Sequence, residues 1–150
     1  SLLASCCGIG ANSTSQDEEI VEAIVAMGNA VGIAFQIKDD LFDYGDNKVG
    51  KPTGIDIIEK KMTLPLIYAL NVANERERRA MIKIIKTDKK SKQQVNEVIA
   101  FVKQKGGLEY AQQRMMEYKA EAEDLLVRLP GDGNTAYIAA LINYVIERKK

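Results

Sequence analysis

Three aspartates, Asp39, Asp40 and Asp43, are close enough in the sequence to bind a hard cation together. On a helix that advances by about 100° per residue, they share with Gln36 an arc about 100° wide, opposite an apolar face. Like charges at this spacing repel one another, and a helix C-terminus disfavours negative charge. Mg²⁺ is held by one or two carboxylates and completes its shell with water and phosphate oxygens. The pattern favours Mg²⁺ binding, and a solvated acidic helix end is the alternative.

Lysines follow the aspartates and could hold a phosphate group. Lys51 lies between glycines in a loop stiffened by Pro52, and Lys61 is expected in the second turn of the next helix. A lysine ammonium acts on a phosphate oxygen as a point charge. Together with Mg²⁺, such groups can bind a diphosphate and stabilise it as a leaving group. For any single lysine, simple neutralisation of the acidic cluster is the competing interpretation.

Helices are expected to position these groups. Glycines and prolines interrupt a sequence of helical periodicity, and no long window alternates with period two, so we predict an all-α protein. Asp17 or a nearby serine can cap the long helix that carries the aspartates, and Gly45 can stop it. The predicted helices cover residues 1–10, 17–44, 56–71, 75–86, 91–105, 108–129 and 135–148.

The composition excludes several classes of function. The 150 residues include 21 basic and 21 acidic side chains and no histidine, so there is no charge bias towards nucleic acid and no His-dependent catalysis. No uninterrupted apolar run has the length that is typical of a transmembrane helix, and no signal peptide is recognised. The adjacent Cys6 and Cys7 are interpreted as reduced core residues of a cytoplasmic protein.

Several segments of the chain closely resemble the second aspartate-rich region of the trans-isoprenyl diphosphate synthases. They are GIAFQIKDDLFDY at residues 32–44, GKPTGID at 50–56 and KMTLPLI at 61–67, and ALINYVIER at 140–148 resembles that family's C-terminus. Within the family, the chain looks most like the bacterial long-chain synthases of octaprenyl type. The resemblance implies that residues 1–150 are the C-terminal part of one polyprenyl synthase domain, the C-terminal helices of the isoprenoid synthase bundle.

The resemblance also implies roles for individual residues. Asp39, Asp40 and Asp43 would bind Mg²⁺, and catalysis would involve Asp39, Asp40 and Lys51. The substrate-binding residues would be Phe35, Gln36, Lys51 and Lys61. The substrates would be an allylic diphosphate and isopentenyl diphosphate, joined head to tail in a cytoplasmic enzyme that forms a homodimer when complete.

The match begins after the family's first aspartate-rich motif, so we expect the 150-residue chain to be inactive by itself and to expose apolar surface. Two other interpretations stay open. The chain could be a non-catalytic regulatory subunit of a heteromeric prenyl diphosphate synthase, or a helical protein whose acidic face is only solvated.

Overall fold

The computed structural model describes residues 1–15, 17–45, 53–129 and 134–147, and all the regular structure in these ranges is helical. This confirms the prediction of an all-α protein. The helices are α1 (Leu2–Thr14), α2 (Glu18–Phe42), α3 (Ile55–Ile58), α4 (Leu64–Val72), α5 (Glu75–Lys86), α6 (Lys92–Gln104), α7 (Gly107–Val127) and α8 (Asn134–Glu147).

The chain divides into two compact units. The first contains Ser1–Gln36 and Arg114–Lys149, and the second contains Ile37–Gln113. Helix α2 begins in the first unit and ends in the second, whereas α7 begins in the second and ends in the first. The last turns of α2, which carry the aspartates, therefore belong to the second unit.

The second unit is built around an apolar cluster contributed by the end of α2 and by helices α3 to α6. Helices α5 and α6 each begin with a capping box, formed by Asn74 with Glu77 and by Ser91 with Gln94, which fixes where the two helices start. The buried members of the cluster are Tyr44, Ile57, Leu66, Ala69, Leu70, Met81, Ile85, Val95, Val98, Phe101 and Val102.

In the first unit, glycines allow α1 and α2 to approach closely. A Cβ atom on Gly8 would lie 2.8 Å from the Val25 side chain, and one on Gly28 would lie 2.9 Å from the Cys7 sulfur. The prediction that the first helix ends at about residue 10 is wrong, because Gly8 is a packing position and α1 continues to Thr14. Cys6 is free but exposed, so its assignment to the core is also wrong.

The predicted helix over residues 56–71 is two helices. α3 ends at Ile58, Lys60 adopts a left-handed conformation with φ of 61°, and α4 begins at Leu64 after the extended Thr63. Pro65, which has no N–H group and disfavours a helical residue before it, is in the first turn of α4, where proline is tolerated. The break separates Lys61 from both helices.

Within the described residues, α2 is the one helix long and apolar enough to span a membrane by those criteria alone. The core helix of a globular protein meets the same criteria. Met27, Ala30, Ala34 and Ile37 form a buried stripe along α2 at helical spacing, as in an amphipathic helix.

Candidate functional site

The end of α2 changes from α-helical to 3₁₀ hydrogen bonding. The N–H groups of residues 43–45 donate hydrogen bonds to carbonyl oxygens three residues earlier, at 3.2 to 3.3 Å, as in a 3₁₀ turn. Asp39 is half-buried and Asp40 is buried within the helix, whereas Asp43 follows its last residue, Phe42. The helical-wheel angle predicted for Asp43 therefore does not apply to it.

Lys61 brings two carboxylates of different elements together. Its Nζ donates to Oδ1 of Asp40 at 2.8 Å and to Oδ2 of Asp56, in α3, at 3.3 Å. The side chain of Asp40 is 9% exposed and that of Lys61 is 44% exposed, so the ammonium contacts a buried carboxylate and solvent together. The hydrogen bond to Asp40, opposed by partial burial, is the largest cause that raises the pKa of Lys61 above its usual range. These ion pairs are what the competing interpretation, neutralisation of the acidic cluster, predicts, and the role of Lys61 in phosphate binding stays a prediction.

Asp43 makes a different set of contacts. Its Oδ1 accepts the N–H of Ile55 at 2.9 Å, its Oδ2 accepts the N–H of Asp56 at 3.2 Å, and its main-chain oxygen accepts the N–H of Gly54 at 3.0 Å. Burial and then the charge of Asp56 raise the pKa of Asp43, while the nearby backbone N–H groups of Ile55, Asp56 and Gly54 oppose the increase. The carboxylate thus caps the first turn of α3.

Neighbouring contacts fix the same segment at two more points. The hydroxyl groups of Tyr44 and Thr63 are 2.6 Å apart, and both residues are only 1% exposed. Gly54 has a φ of 82°, and a Cβ atom on it would lie 2.3 Å from Cγ1 of Val95. Residues 54–63 are therefore attached to the end of α2 at both ends and pressed against α6.

The roles of the other predicted site residues are not decided by these contacts. Phe35 is half-buried and Gln36 is exposed, and both lie on α2 at the end of the first unit. Lys51 lies outside the described residues. The roles given to these three residues stay predictions.

The carboxylates at the end of α2 are the groups that could hold a divalent cation. Among residues 1–15, 17–45, 53–129 and 134–147, no three Asp, Glu, Cys or His side chains are gathered so that they could hold a metal ion. Mg²⁺ needs only one or two protein carboxylates when phosphate oxygens and water complete its shell. The chemistry of Asp39 and Asp40 fits such a site, although Asp40 also accepts the Lys61 ammonium, and both oxygens of Asp43 accept hydrogen bonds from the backbone.

Sequence reasoning assigned no role to Asp56, Tyr44 and Thr63. Asp56 contacts Lys61, and Tyr44 with Thr63 forms a buried polar pair. The position of Asp56 five residues before a site lysine was visible in the sequence, but nothing in the sequence indicated that Tyr44 and Thr63 would meet.

Comparison with known proteins assigns the family. The polyprenyl synthetase family model matches residues 1–102, more than half of the chain. The chain belongs to this family. Component 2 of the heptaprenyl diphosphate synthase of Bacillus subtilis is 30% identical over 151 residues, which are 99% of this chain and 42% of that protein.

Two solved structures of the family are similar to the fold described above. A geranylgeranyl pyrophosphate synthase from Bacteroides thetaiotaomicron superimposes with a TM-score of 0.88 and 39% identity, over 98% of this chain and 49% of that one. A polyprenyl synthase from Caulobacter crescentus, complexed with calcium and isoprenyl diphosphate, gives a TM-score of 0.85 with 26% identity, over 99% of this chain and 46% of that one. The chain therefore spans about half the length of the relatives that it matches.

Proposed function

We propose that this chain is the C-terminal half of a trans-prenyltransferase and that the end of α2, with Lys61, forms its wall for the allylic diphosphate. The observation that carries this proposal is the meeting of the Lys61 ammonium with Asp40 and Asp56 beside Asp39. The family assignment and the isoprenyl diphosphate bound by the Caulobacter relative support it.

The chemistry follows from the charges. In the proposed reaction the allylic diphosphate ionises, the double bond of isopentenyl diphosphate attacks the allylic cation, and loss of a proton gives a product five carbons longer. A diphosphate leaves more readily when positive charge meets the negative charge that develops on it. Lys61, which is held protonated, supplies such a charge, and Lys51 is proposed to supply a second. Phe35 and Gln36 are proposed to line the substrate side of α2.

Mg²⁺ is proposed as the cofactor, with Asp39 and Asp40 as the residues that would hold it. When bound, it would neutralise the diphosphate and lower the energy of its departure. The calcium in the Caulobacter complex supports a divalent cation in this family. The prediction that Asp43 is a third ligand remains untested, and its backbone contacts favour the other two aspartates.

A binding experiment tests this proposed diphosphate site. Inorganic diphosphate is titrated by calorimetry into the chain with excess Mg²⁺, and the Asp39→Asn variant is compared with Asp124→Asn, which changes an exposed carboxylate on α7 in the first unit. Loss of a charged ligand contact is expected to weaken binding about tenfold or more in Asp39→Asn. Asp124→Asn should bind as the wild type does. Equal affinities in all three proteins would refute the site.

The chain by itself is proposed to be inactive. It spans 42% of the Bacillus relative, and we propose that the isopentenyl diphosphate site and the other aspartate-rich motif belong to the remaining part. Incubation with an allylic diphosphate, isopentenyl diphosphate and Mg²⁺ should give no longer product, and robust elongation would contradict the proposal. For the complete enzyme we propose a cytoplasmic homodimer with a long-chain, polyprenyl or octaprenyl, product.

A regulatory subunit is the second candidate function. The Bacillus relative is named as one component of a synthase, which favours a heteromeric enzyme. Under this alternative the chain would contribute helices rather than bind substrate. The diphosphate titration separates the two candidates, because a regulatory subunit does not need Mg²⁺-dependent binding at Asp39.

A further inference from the structure

We infer that Asp43 is a positioning residue that places Lys61 against Asp40, through the first turn of α3, rather than a ligand of the metal. The inference rests on the proposed function for its consequence in diphosphate binding. It gives Asp43 a task different from the one proposed for Asp39 and Asp40.

The first step is that both oxygens of the Asp43 carboxylate accept hydrogen bonds from the backbone. Each oxygen accepts one backbone N–H group, from Ile55 at 2.9 Å and from Asp56 at 3.2 Å. These are N–H groups of the first turn of α3, which have no partner within the helix. Asp43 is only 9% exposed, so the bonds are shielded from competing water.

The second step links Asp56 to Lys61. The main-chain oxygen of Asp56 accepts the N–H of Lys61 at 2.8 Å, and its carboxylate accepts the Lys61 ammonium at 3.3 Å. Both contacts depend on where Asp56 lies, and Asp43 fixes that residue through its N–H group. The ammonium then reaches Asp40, one helical turn before Asp43 on α2.

The third step is the low intrinsic stability of α3 itself. This helix has only four residues, and its N-cap residue Gly54 has no side chain with which to cap it. A four-residue helix is too short to be stable on hydrogen bonding alone. Removal of the Asp43 carboxylate should therefore loosen Ile55 and Asp56, and through them Lys61, while the main-chain hydrogen bond of Gly54 and the buried Ile57 keep the segment in place.

The first experiment needs no ligand. The purified chain is acetylated with a limiting lysine reagent, and the rate at Lys61 is measured by mass spectrometry relative to the exposed Lys92 on α6. Asp43→Ala should raise the relative rate at Lys61 by about threefold or more, the scale of a lost capping interaction. Asp43→Asn, which keeps one acceptor oxygen, should give a smaller increase. An unchanged relative rate in both variants would overturn the inference, and Asp43→Asn decides the matter if Asp43→Ala does not fold.

The second experiment distinguishes positioning from metal binding. At saturating Mg²⁺, Asp43→Asn should weaken the binding of inorganic diphosphate by up to about tenfold. At saturating diphosphate, the Mg²⁺ concentration that gives half-maximal binding in Asp43→Asn should stay within about twofold of the wild-type value, because this substitution removes no metal ligand. Asp39→Asn should shift that concentration strongly. A Mg²⁺ shift in Asp43→Asn equal to that in Asp39→Asn would overturn the inference. Failure of the wild type to bind diphosphate would refute the proposed function, and the acetylation rates would still decide the role of Asp43.

Discussion

The buried pair of Tyr44 and Thr63 provides a quantitative test of how the end of α2 is joined to the entrance of α4. Their hydroxyl groups are 2.6 Å apart, and each residue is 1% exposed. Thr63 is the N-cap residue of α4 but makes no side-chain capping bond, because its hydroxyl faces Tyr44. The substitution Thr63→Val therefore removes the pair without removing a cap.

The expected energies follow from burial. Tyr44→Phe leaves the Thr63 hydroxyl buried without this partner, and Thr63→Val leaves the Tyr44 hydroxyl in the same condition. An unsatisfied buried polar group costs about 1–3 kcal/mol, so we expect each single variant to lose about 2 kcal/mol of unfolding free energy. The double variant replaces both groups with apolar ones of similar shape and should lose only about 1 kcal/mol. The coupling energy is then about 3 kcal/mol, at the upper end for residues in contact.

The assay is denaturant unfolding of the wild type, the two single variants and the double variant at neutral pH. Burial raises the pKa of Tyr44, so its phenol stays protonated throughout. Thr87→Val removes a similar hydrogen bond, to the Lys83 carbonyl, at an exposed position and should cost less than about 0.5 kcal/mol. Strict additivity of the two single variants would refute the reasoning, because it would mean that the hydroxyl groups do not contact each other.

Two further predictions concern the same segment. Gly54→Ala should lose about 2–4 kcal/mol of unfolding free energy, because the backbone there is left-handed and a Cβ atom would clash with Val95. Gly10→Ala, in open space within α1, should gain up to about 1 kcal/mol. Equal effects of the two substitutions would contradict the geometry. Lys61→Met should lose about 1–2 kcal/mol of unfolding free energy at pH 7. This is less than the loss of a fully buried ion pair would cost, because the lysine is partly exposed. Since the folded pKa of Lys61 is raised, this loss should be constant below the unfolded pKa of about 10.4 and disappear as the pH rises through the folded value. Unfolding of Lys61→Met and wild type across pH 7–12 checks this, with Lys92→Met as the control, and a difference that persists at the highest pH would count against the ion pair.

The helices were largely predictable because their signals are local. The capping boxes that start α5 and α6 are visible as residue types three positions apart. The break predicted between residues 105 and 108 is observed at Gly106, which has a φ of 74°. The errors arose where packing changed the meaning of a residue. The first helix was expected to end at about residue 10, in a glycine-containing segment, but Gly8 instead permits the close approach of α1 to α2.

The site was predictable to the extent that it depends on one helix. The shared face of Asp39 and Asp40 follows from helical spacing, and Lys61 was expected near them. Asp43 departs from that face because α2 ends one residue earlier, in a 3₁₀ turn, and its carboxylate caps a helix that begins twelve residues later. Such a contact depends on how the chain returns after the loop, which periodicity does not determine.

The most direct test of the central claim is the calorimetric binding of inorganic diphosphate to the wild-type chain, with Mg²⁺ and then with a chelator. Two carboxylates and an ammonium at the end of α2 predict binding that requires Mg²⁺ and that orthophosphate does not reproduce at equal phosphorus concentration. No measurable binding with Mg²⁺, or equal binding in the chelator, would contradict the account.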